Sequence, residues 1–425
     1  MSMGSLSPTG GQWHVSGGIM KLAHFGTFDV HNYGDLLFPL IVEKKLADIA
    51  DEFVHISPVG GPIMYSDVSA SIPFSVARNM AFDGVVIGGG NILHSAWTDL
   101  PDYDSVKYSA YLSLWHDAML LATEQGIPLV TNAPGAPYDF PWPASKLIRE
   151  LRSVATYFSV RDRYSSTRVA KAGVLDALIV PDSALQLSDV LDFVSGPLSP
   201  FDGELTALNE APYIAVHVNG RYSSSGVKEL AALLDSLSLA KQARICLIGI
   251  GPCHGDDVYA KQLGSFMTTS PVIFANPGSV TSIAKVIAGA EFYVGSSLHG
   301  FITASSFSVP AFLVASHKKQ SKFRGLLEQI DSVDRMLGSW SEAFHMLTTS
   351  KRGLELLGES ADLAGARSAL DEHWHQIRVA LTTSNPHVQI KPAAPAIASI
   401  VIVRNVVESR ARRAIRSILN RIRRR

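Results

Sequence analysis

The sequence predicts an α/β protein with two Rossmann-like, doubly wound domains that face each other across a cleft. Short β-prone apolar runs alternate with helical segments from Lys21 onward, a pattern that favours parallel strands covered on both faces. The alternation breaks at an irregular segment between about Leu187 and Pro212 and then repeats the same layout. Ligands of such sheets bind beyond the carboxyl ends of the strands, so we expect the functional site in the cleft.

The first domain is expected at residues 21–190, after a Gly- and Ser-rich leader at residues 1–20. The leader lacks the basic and apolar regions of a secretory signal, which predicts a disordered segment. Strand-like runs and helical patterns then alternate. The strands are predicted at residues 22–25, 53–57, 84–87, 127–131 and 156–160, and the helices at 36–51, 107–125, 144–153 and 163–172.

The second domain is expected at residues 210–350. Its strands are predicted at residues 213–218, 245–250, 272–274, 292–294 and 311–314, and its helices at 227–239, 257–266 and 280–288, with one more beginning beside His299. Beyond it the pattern predicts a helical extension at 351–385, a Pro-rich spacer at 386–396 and a basic amphipathic helix at 397–425.

Composition excludes several classes of protein. The two cysteines, Cys246 and Cys253, cannot form the framework of a disulfide-rich secreted domain, and they fit a reducing compartment. We therefore expect a cytoplasmic location. The apolar run at 397–403 is too short to cross a bilayer. Residues 404–425 contain nine Arg and one acidic residue, Glu408, so this tail is electrostatically distinct from a chain whose overall net charge is −1.

Four predicted loops follow strand ends and carry the side chains that a ligand needs. Glycine loops let backbone N–H groups approach a substrate closely. A strand, a Gly-Ser-Ser turn and a helix start make an anion site, and a histidine there can move protons. The candidate residues are Asn32, Gly34 and Asp35 in the first loop, Gly89, Gly90 and Asn91 in the second, Arg161 and Arg163 in the third, and Ser296, Ser297 and His299 in the fourth.

Each candidate also has a purely structural interpretation. A histidine in a βα loop is often structural, a triple glycine can be a tight turn, and Asp35 can stabilise the first turn of its own helix. His217, on the first strand of the second domain, is expected to be packed rather than catalytic. His254, Asp256 and Asp257 beside Cys253 match no zinc spacing, so we expect no bound metal.

In their order along the chain, five motifs resemble the polysaccharide pyruvyl transferases. They are N-x-G-D at 32–35, G-G-G-N at 88–91, S-V-R-D-R at 159–163, P-D-S-A-L at 181–185 and S-S-L-H-G at 296–300. The resemblance covers roughly residues 21–330. It implies a fold like that of two-domain glycosyltransferases of the B type. It also implies transfer of the pyruvyl group of phosphoenolpyruvate onto two sugar hydroxyls as a cyclic ketal, with release of phosphate and no cofactor.

The implied chemistry assigns roles to particular side chains. His299 is the candidate general acid or base, with Asp35 and Asp182 as alternatives. Arg161, Arg163, Arg324 and Lys322 are candidate contacts for the anionic groups of the donor. Many members of the family have an arginine at the position of Ser297, so we expect Arg221 or Lys318 to supply that cation instead. A nucleotide-sugar glycosyltransferase and a non-catalytic glycan-binding subunit remain the alternatives.

The basic tail from Arg404 to Arg425 predicts a partner. Its apolar residues recur at three- and four-residue steps between arginines, which is typical of a helix that docks on an anionic membrane surface. Such docking, on the inner face of the plasma membrane, would suit a lipid-linked glycan acceptor. The alternatives are packing on the protein's own body, a dimer contact or a nucleic-acid contact. The acceptor sugar, the bridged hydroxyl pair and the oligomeric state stay open.

Overall fold

The computed structural model describes residues 20–191, 208–209, 211–220, 226–315, 320–383 and 394–423. Residues 1–19 of the predicted leader lie outside the described residues, as do residues 192–207 of the irregular segment and residues 386–393 of the predicted spacer. Arg221 and Lys318 also lie outside them.

The first domain is built on a sheet of five parallel strands in the described part of the chain, in the order β3-β2-β1-β4-β5. Its central strand β1 has a buried apolar core on both sides, which explains why the strands are nearly continuous apolar runs. The strands are β1 (Met20–Phe25), β2 (Ala50–Ser57), β3 (Ile72–Pro73), β4 (Gly84–Gly88) and β5 (Leu129–Asn132). The helices are α1 (Tyr33–Leu46), α2 (Phe74–Ala77), α3 (Ala110–Gln125), α4 (Ala144–Val154), α5 (Arg163–Lys171) and α6 (Leu187–Val190).

Two of the predicted elements differ from those observed. The strand expected at 156–160 is reduced to β6 (Ser159–Val160), which pairs with β7 (Leu178–Ile179) in a separate small sheet. The hydroxyls of Ser159 and Thr131 bond to each other's backbone groups at 2.6–2.9 Å, and these bonds replace part of the ladder to β5. The helix expected at 36–51 ends at Leu46 because β2 already begins at Ala50.

The second domain repeats this architecture with six parallel strands among the described residues, in the order β10-β9-β8-β11-β12-β13. Its first five strands have the same connectivity as the first sheet, the doubly wound Rossmann order. The strands are β8 (Tyr213–His217), β9 (Arg244–Ile248), β10 (Val272–Phe274), β11 (Phe292–Gly295), β12 (Ala311–Val314) and β13 (Met336–Leu337). The helices are α7 (Val227–Lys241), α8 (Asp256–Gly264), α9 (Val280–Ala288), α10 (Leu298–Ser306), α11 (Gln320–Gln329), α12 (Trp340–Thr348) and α13 (Lys351–Leu357).

The chain then returns to the first domain through two helices. α14 (Ala364–Thr383) buries Leu370, Trp374 and Ile377 against it, whereas α13 packs on the second domain. α15 (Ala394–Arg423) begins three residues before the position predicted for the basic helix, because Pro395 fits the unpaired first turn of a helix. In the described part of the chain no helix is both long and apolar enough to span a membrane.

Candidate functional site

A pocket of about 170 Å³ lies between the two domains, at the carboxyl ends of both central sheets. We call it the interdomain pocket. Its lining residues come from the loops after β1, β4 and β6 on one side and after β8, β9 and β11 on the other, which is where parallel sheets place ligands. They are Thr27, Asn32, Asp35, Asn91, Ile92, Tyr111 and Arg161 from the first domain, and His217, Asn219, Ile250, His254, Asp256, Ser296, Ser297, Leu298 and His299 from the second.

Three described helices, α1, α8 and α10, direct their N-termini at this pocket, since residues of their first turns line it. The first N–H groups of a helix have no partners within the helix and carry the positive end of its dipole. At α10, the Ser297 hydroxyl accepts one of them, from Gly300, at 3.3 Å. Helix starts converging from both domains make the pocket suitable for an anionic ligand.

The N-x-G-D motif and the S-S-L-H-G motif meet across the domain boundary. The Tyr33 N–H donates to the carbonyl of Ile250 at 2.9 Å, and the Tyr33 hydroxyl lies 2.8 Å from that of Thr303. A Cβ on Gly34 would collide with the ring of His299 at Nδ1. Gly34 is therefore the residue that lets the His299 ring approach the backbone of α1.

The buried side chains of Arg161 and Asp182 form a polar chain with the partly buried His299. Arg161 donates from Nη1 to Asp182 Oδ2 at 3.3 Å and from Nη2 to Asn91 Oδ1 at 2.8 Å. On the other side of the same carboxylate oxygen, His299 Nε2 lies 3.7 Å away. Burial alone would raise the pKa of Asp182, but His299 and Arg161 outweigh it and hold that pKa below its usual range. The carboxylate is therefore ionised beside the histidine.

Asp35 lies on the opposite side of the histidine motif, at the start of α1. The Asn32 side-chain amide donates to Asp35 Oδ2 at 2.7 Å, so the two polar residues of the motif hold each other in place. Gly90, at φ +68°, packs against the same carboxylate, and Gly89, at φ +76°, packs against Phe38. Positive φ favours glycine at both positions. The triple-glycine turn thus packs directly against Asp35 and Phe38.

Some candidates lie outside the pocket. Arg163 is an exposed side chain that pairs with Glu328 at 2.8 Å and stacks on Tyr164. Arg324 points towards the same glutamate, at 4.0 Å. Both arginines belong to a surface cluster because α5 and α11 face solvent there, so the expectation that they bind substrate is not supported by their positions. The Lys322 side chain lies outside the described residues.

The interdomain pocket also contains residues that were not among the candidate site residues predicted from the sequence. His217 and Asp256 are both buried, line the pocket and are joined by a hydrogen bond of 2.8 Å between Nε2 and Oδ2. His217 ends β8 as His299 follows β11, so the strand-end rule could have selected it. Tyr111, on α3, had no comparable signal. Within the described ranges, no group of three or more His, Cys, Asp or Glu side chains is arranged to hold a metal ion.

Comparisons with known proteins agree with this architecture. The family model described as polysaccharide pyruvyl transferase matches residues 32–318, about two thirds of the chain. No protein of curated function matches the sequence significantly. Among solved structures, S. aureus MnaA in complex with UDP has 10% sequence identity and a TM-score of 0.51, covering 88% of this chain and 99% of that one. UDP-GlcNAc 2-epimerase from Methanocaldococcus jannaschii has 12% identity and a TM-score of 0.51, covering 84% and 100%. These likenesses confirm the predicted two-domain, glycosyltransferase-B-like fold.

Proposed function

The chain belongs to the polysaccharide pyruvyl transferase family, and from this premise we propose that it moves the pyruvyl group of phosphoenolpyruvate onto two hydroxyls of a saccharide acceptor. The acceptor is a cell-surface polysaccharide or its lipid-linked precursor. The observation that carries the proposal is the chain from Arg161 through Asp182 to His299, which lies where helix N-termini of both domains converge. The interdomain pocket can therefore hold an anionic donor beside a histidine that transfers protons.

The overall reaction determines which groups the site must bind and which protons it must transfer. Carbon 2 of the donor forms bonds to two acceptor oxygens, its bond to the phosphate oxygen breaks, and its methylene group gains a proton to become a methyl group. One hydroxyl proton of the acceptor is accounted for by that methyl group, and the other leaves with the phosphate. The site must therefore bind a carboxylate and a phosphate, and must both remove and deliver protons.

His299 is the residue that we assign to proton transfer. The ring nitrogens of an imidazole can both accept and donate protons, so His299 can take a proton from a hydroxyl and return one to the methylene carbon. The ionised Asp182 beside it stabilises the imidazolium form, and Arg161 fixes the position of that carboxylate. Asp35, on the opposite wall, is the second candidate base. The N-terminus of α10 supplies N–H groups for an oxyanion of the donor.

The test is phosphate release from phosphoenolpyruvate by the purified protein, measured with a panel of sugar and lipid-linked sugar acceptors. Acceptor-dependent release is expected, and His299→Ala should reduce it by about 10²- to 10⁴-fold. His345→Ala, which removes an exposed histidine of α12, is the matched control and should keep the full rate. Nucleotide release from a nucleotide sugar, with none of phosphate from phosphoenolpyruvate, would contradict the proposal.

We also propose that α15 docks the protein on the anionic inner face of the plasma membrane. Ile400, Val403 and Val407 form an exposed apolar stripe on this helix, Val403 being 62% exposed, while Ala398 and Val401 pack on the first domain. Packing on the body and docking thus use different faces. Val403→Asp with Val407→Asp should lower co-sedimentation with phosphatidylglycerol vesicles. Val258→Asp, at a 64% exposed position of α8, is the control, and equal losses in both proteins would contradict docking through α15.

A further inference from the structure

A second and larger cavity, of about 420 Å³, lies on the first domain beside α15. We call it the side pocket. Its walls are the loop at 95–99 after the triple-glycine turn, the loop at 138–144 before α4, and the face of α15 that carries Val401, Arg404, Asn405, Glu408 and Arg412. These α15 positions recur at three- and four-residue steps, so one face of the helix closes the cavity.

The third wall is held in place by specific bonds. The Asn405 side-chain amide donates to the carbonyls of Ser95 at 2.7 Å and Tyr108 at 2.8 Å. Arg404 donates to the carbonyl of Trp142 at 2.8 Å and pairs with Glu408 at 2.7 Å. Because these groups are satisfied by the protein, the side pocket is preformed, which lowers the entropic cost of binding.

The lining of the side pocket fits a polyhydroxyl ligand. The Asp99 and Asp139 carboxylates and the Arg412 guanidinium line it together with the aromatic rings of Trp97 and Tyr138, and Tyr138 is 57% exposed. The acidic residues Asp99, Asp139 and Glu408 are balanced by Arg404, Arg412 and Lys171, which pairs with Asp139 at 3.4 Å, so the net charge does not favour a polyanion. Planar polar groups can bind sugar hydroxyls while aromatic faces cover the apolar C–H faces of sugar rings.

The side pocket and the interdomain pocket are neighbours. The loop that begins at the triple glycine lines both, with Asn91 and Ile92 in the interdomain pocket and Ser95 and Trp97 in the side pocket. Three aromatic rings, those of His94, Tyr111 and Tyr138, lie in contact between the two pockets. His94 is buried with its ring centroid 4.1 Å from that of Tyr111, which lines the first pocket, and 5.3 Å from that of Tyr138, which lines the second. The partition is thus formed by side chains from adjacent segments.

We propose that the side pocket is a saccharide subsite, which binds uncharged sugar units of the acceptor beyond the unit that reacts in the interdomain pocket. This assignment rests on the proposed function for the identity of the acceptor. It predicts a requirement for an acceptor longer than one sugar, because Trp97 and Tyr138 line the side pocket and not the interdomain pocket. Binding in the side pocket needs no turnover, so the subsite can be tested apart from the reaction.

The experiment measures binding of the full-length protein to an array of neutral oligosaccharides of two to six sugars, with lactose, cellobiose, maltotriose and chitotriose also titrated in solution by saturation-transfer NMR. Wild-type protein and His299→Ala should bind the same array members. Tyr138→Ala should weaken that binding by about tenfold, the equivalent of losing one good contact of about 1.4 kcal/mol. Asp99→Ala, at an exposed position of the other loop, tests the pocket with little risk to folding.

Phe266→Ala is the matched control, because Phe266 is an exposed aromatic residue beyond the far end of α8. Binding that Tyr138→Ala and Asp99→Ala both weaken and Phe266→Ala leaves unchanged supports the subsite. No binding to any saccharide, or binding that survives both variants, overturns it. Phosphate release is measured in parallel with the same proteins. Failure of release with saccharide binding intact would count against pyruvyl transfer and leave the subsite standing.

Discussion

The two walls of the interdomain pocket differ in how their polar groups are satisfied. On the first-domain wall, Asn32 holds Asp35, and Arg161 is bonded to both Asn91 and Asp182. On the second-domain wall, His217 Nδ1, Asp256 Oδ1 and His299 Nε2 are buried and have no hydrogen-bond partner within the described protein. The polar groups of the first-domain wall bond to one another, whereas the second-domain wall has buried polar atoms without a hydrogen-bond partner in the described protein.

This difference indicates that the two domains have different roles at the site. Buried polar groups nearly always find partners, so unpaired atoms concentrated on one wall of a pocket indicate groups that a ligand satisfies. A wall whose groups are already bonded instead provides fixed charges that need no reorganisation during a reaction. We infer that the first domain preorganises the site and the second provides the groups that bind and react. Substitutions on each wall test this inference.

Asp182→Asn should have the largest effect, because Asp182 lies between the two walls. The variant keeps the shape but removes the charge that faces both Arg161 and His299, so we expect phosphate release to fall by about 10³-fold. Arg161 would keep Asp162, 3.6 Å from its Nε, as a counter-charge but lose its bond to Asp182, which should also lower the free energy of unfolding by about 2 kcal/mol. Kinetics and thermal melting measure the two effects.

The same variant makes a prediction about pH. Because the pKa of Asp182 is lowered in the folded protein, the ionised carboxylate contributes stability above the unfolded-state value of about 3.9. That contribution is lost as the pH falls through the folded-state pKa. The difference in melting temperature between wild-type and variant should therefore be largest near neutral pH and shrink below about pH 4. A difference that is constant with pH would show that the charge of Asp182 is not responsible.

Gly34→Ala tests the point where the walls touch. The added methyl group would displace the His299 ring, and a misplacement of about 1 Å can cost about 100-fold in rate. Gly365→Ala, in α14, is the control because its Cβ would meet open space, and it should be neutral or slightly stabilising. If Gly34→Ala kept the full rate while folding normally, close approach of His299 to α1 would not matter for activity.

His217→Gln tests the unpaired atoms of the second wall. Glutamine can retain the bond to Asp256 that His217 makes through Nε2, while removing the unpaired Nδ1. We expect the rate to fall by about tenfold and its pH profile to change, since an imidazole that can exchange protons with a ligand is lost. A variant with an unchanged profile and only a lower melting temperature would place His217 in the core rather than in the chemistry.

Arg163→Ala should have the smallest effect, a change in rate within about twofold. Its side chain is exposed and pairs with Glu328 away from the pocket, and exposed ion pairs contribute little. Arg161→Lys, two residues earlier, should by contrast lose the paired bonds to Asn91 and Asp182 and most of the activity. Equal losses of phosphate release in the two variants would mean that the difference in burial between Arg161 and Arg163 does not determine their importance for activity.

Much of the fold could be predicted because its signals are local. Alternating apolar runs and helical patterns gave the longer strands and most of the longer helices of both domains to within about five residues, but missed the two-residue strands β3, β7 and β13 and the helices α2, α6, α11 and α12. The strand-end rule selected Asn32, Asp35, Asn91, Arg161 and His299, all of which line one pocket. The strand at 156–160 was mispredicted because side-chain bonds between Ser159 and Thr131 take the place of ladder bonds, and propensity does not report such competition.

Which of two similar residues lies in the site depends on how the elements pack. Arg161 and Arg163 belong to one motif, but they lie on opposite sides of the turn into α5, so one is buried beside Asp182 and the other faces solvent. The partnership of His217 with Asp256 and the closing of the side pocket by α15 join residues far apart in the chain. The two doubly wound domains and the loops that face the cleft could be read from the sequence, because periodicity and turn chemistry act locally. Side-chain partners depend on how whole elements pack, and that information is absent from any single stretch of the chain.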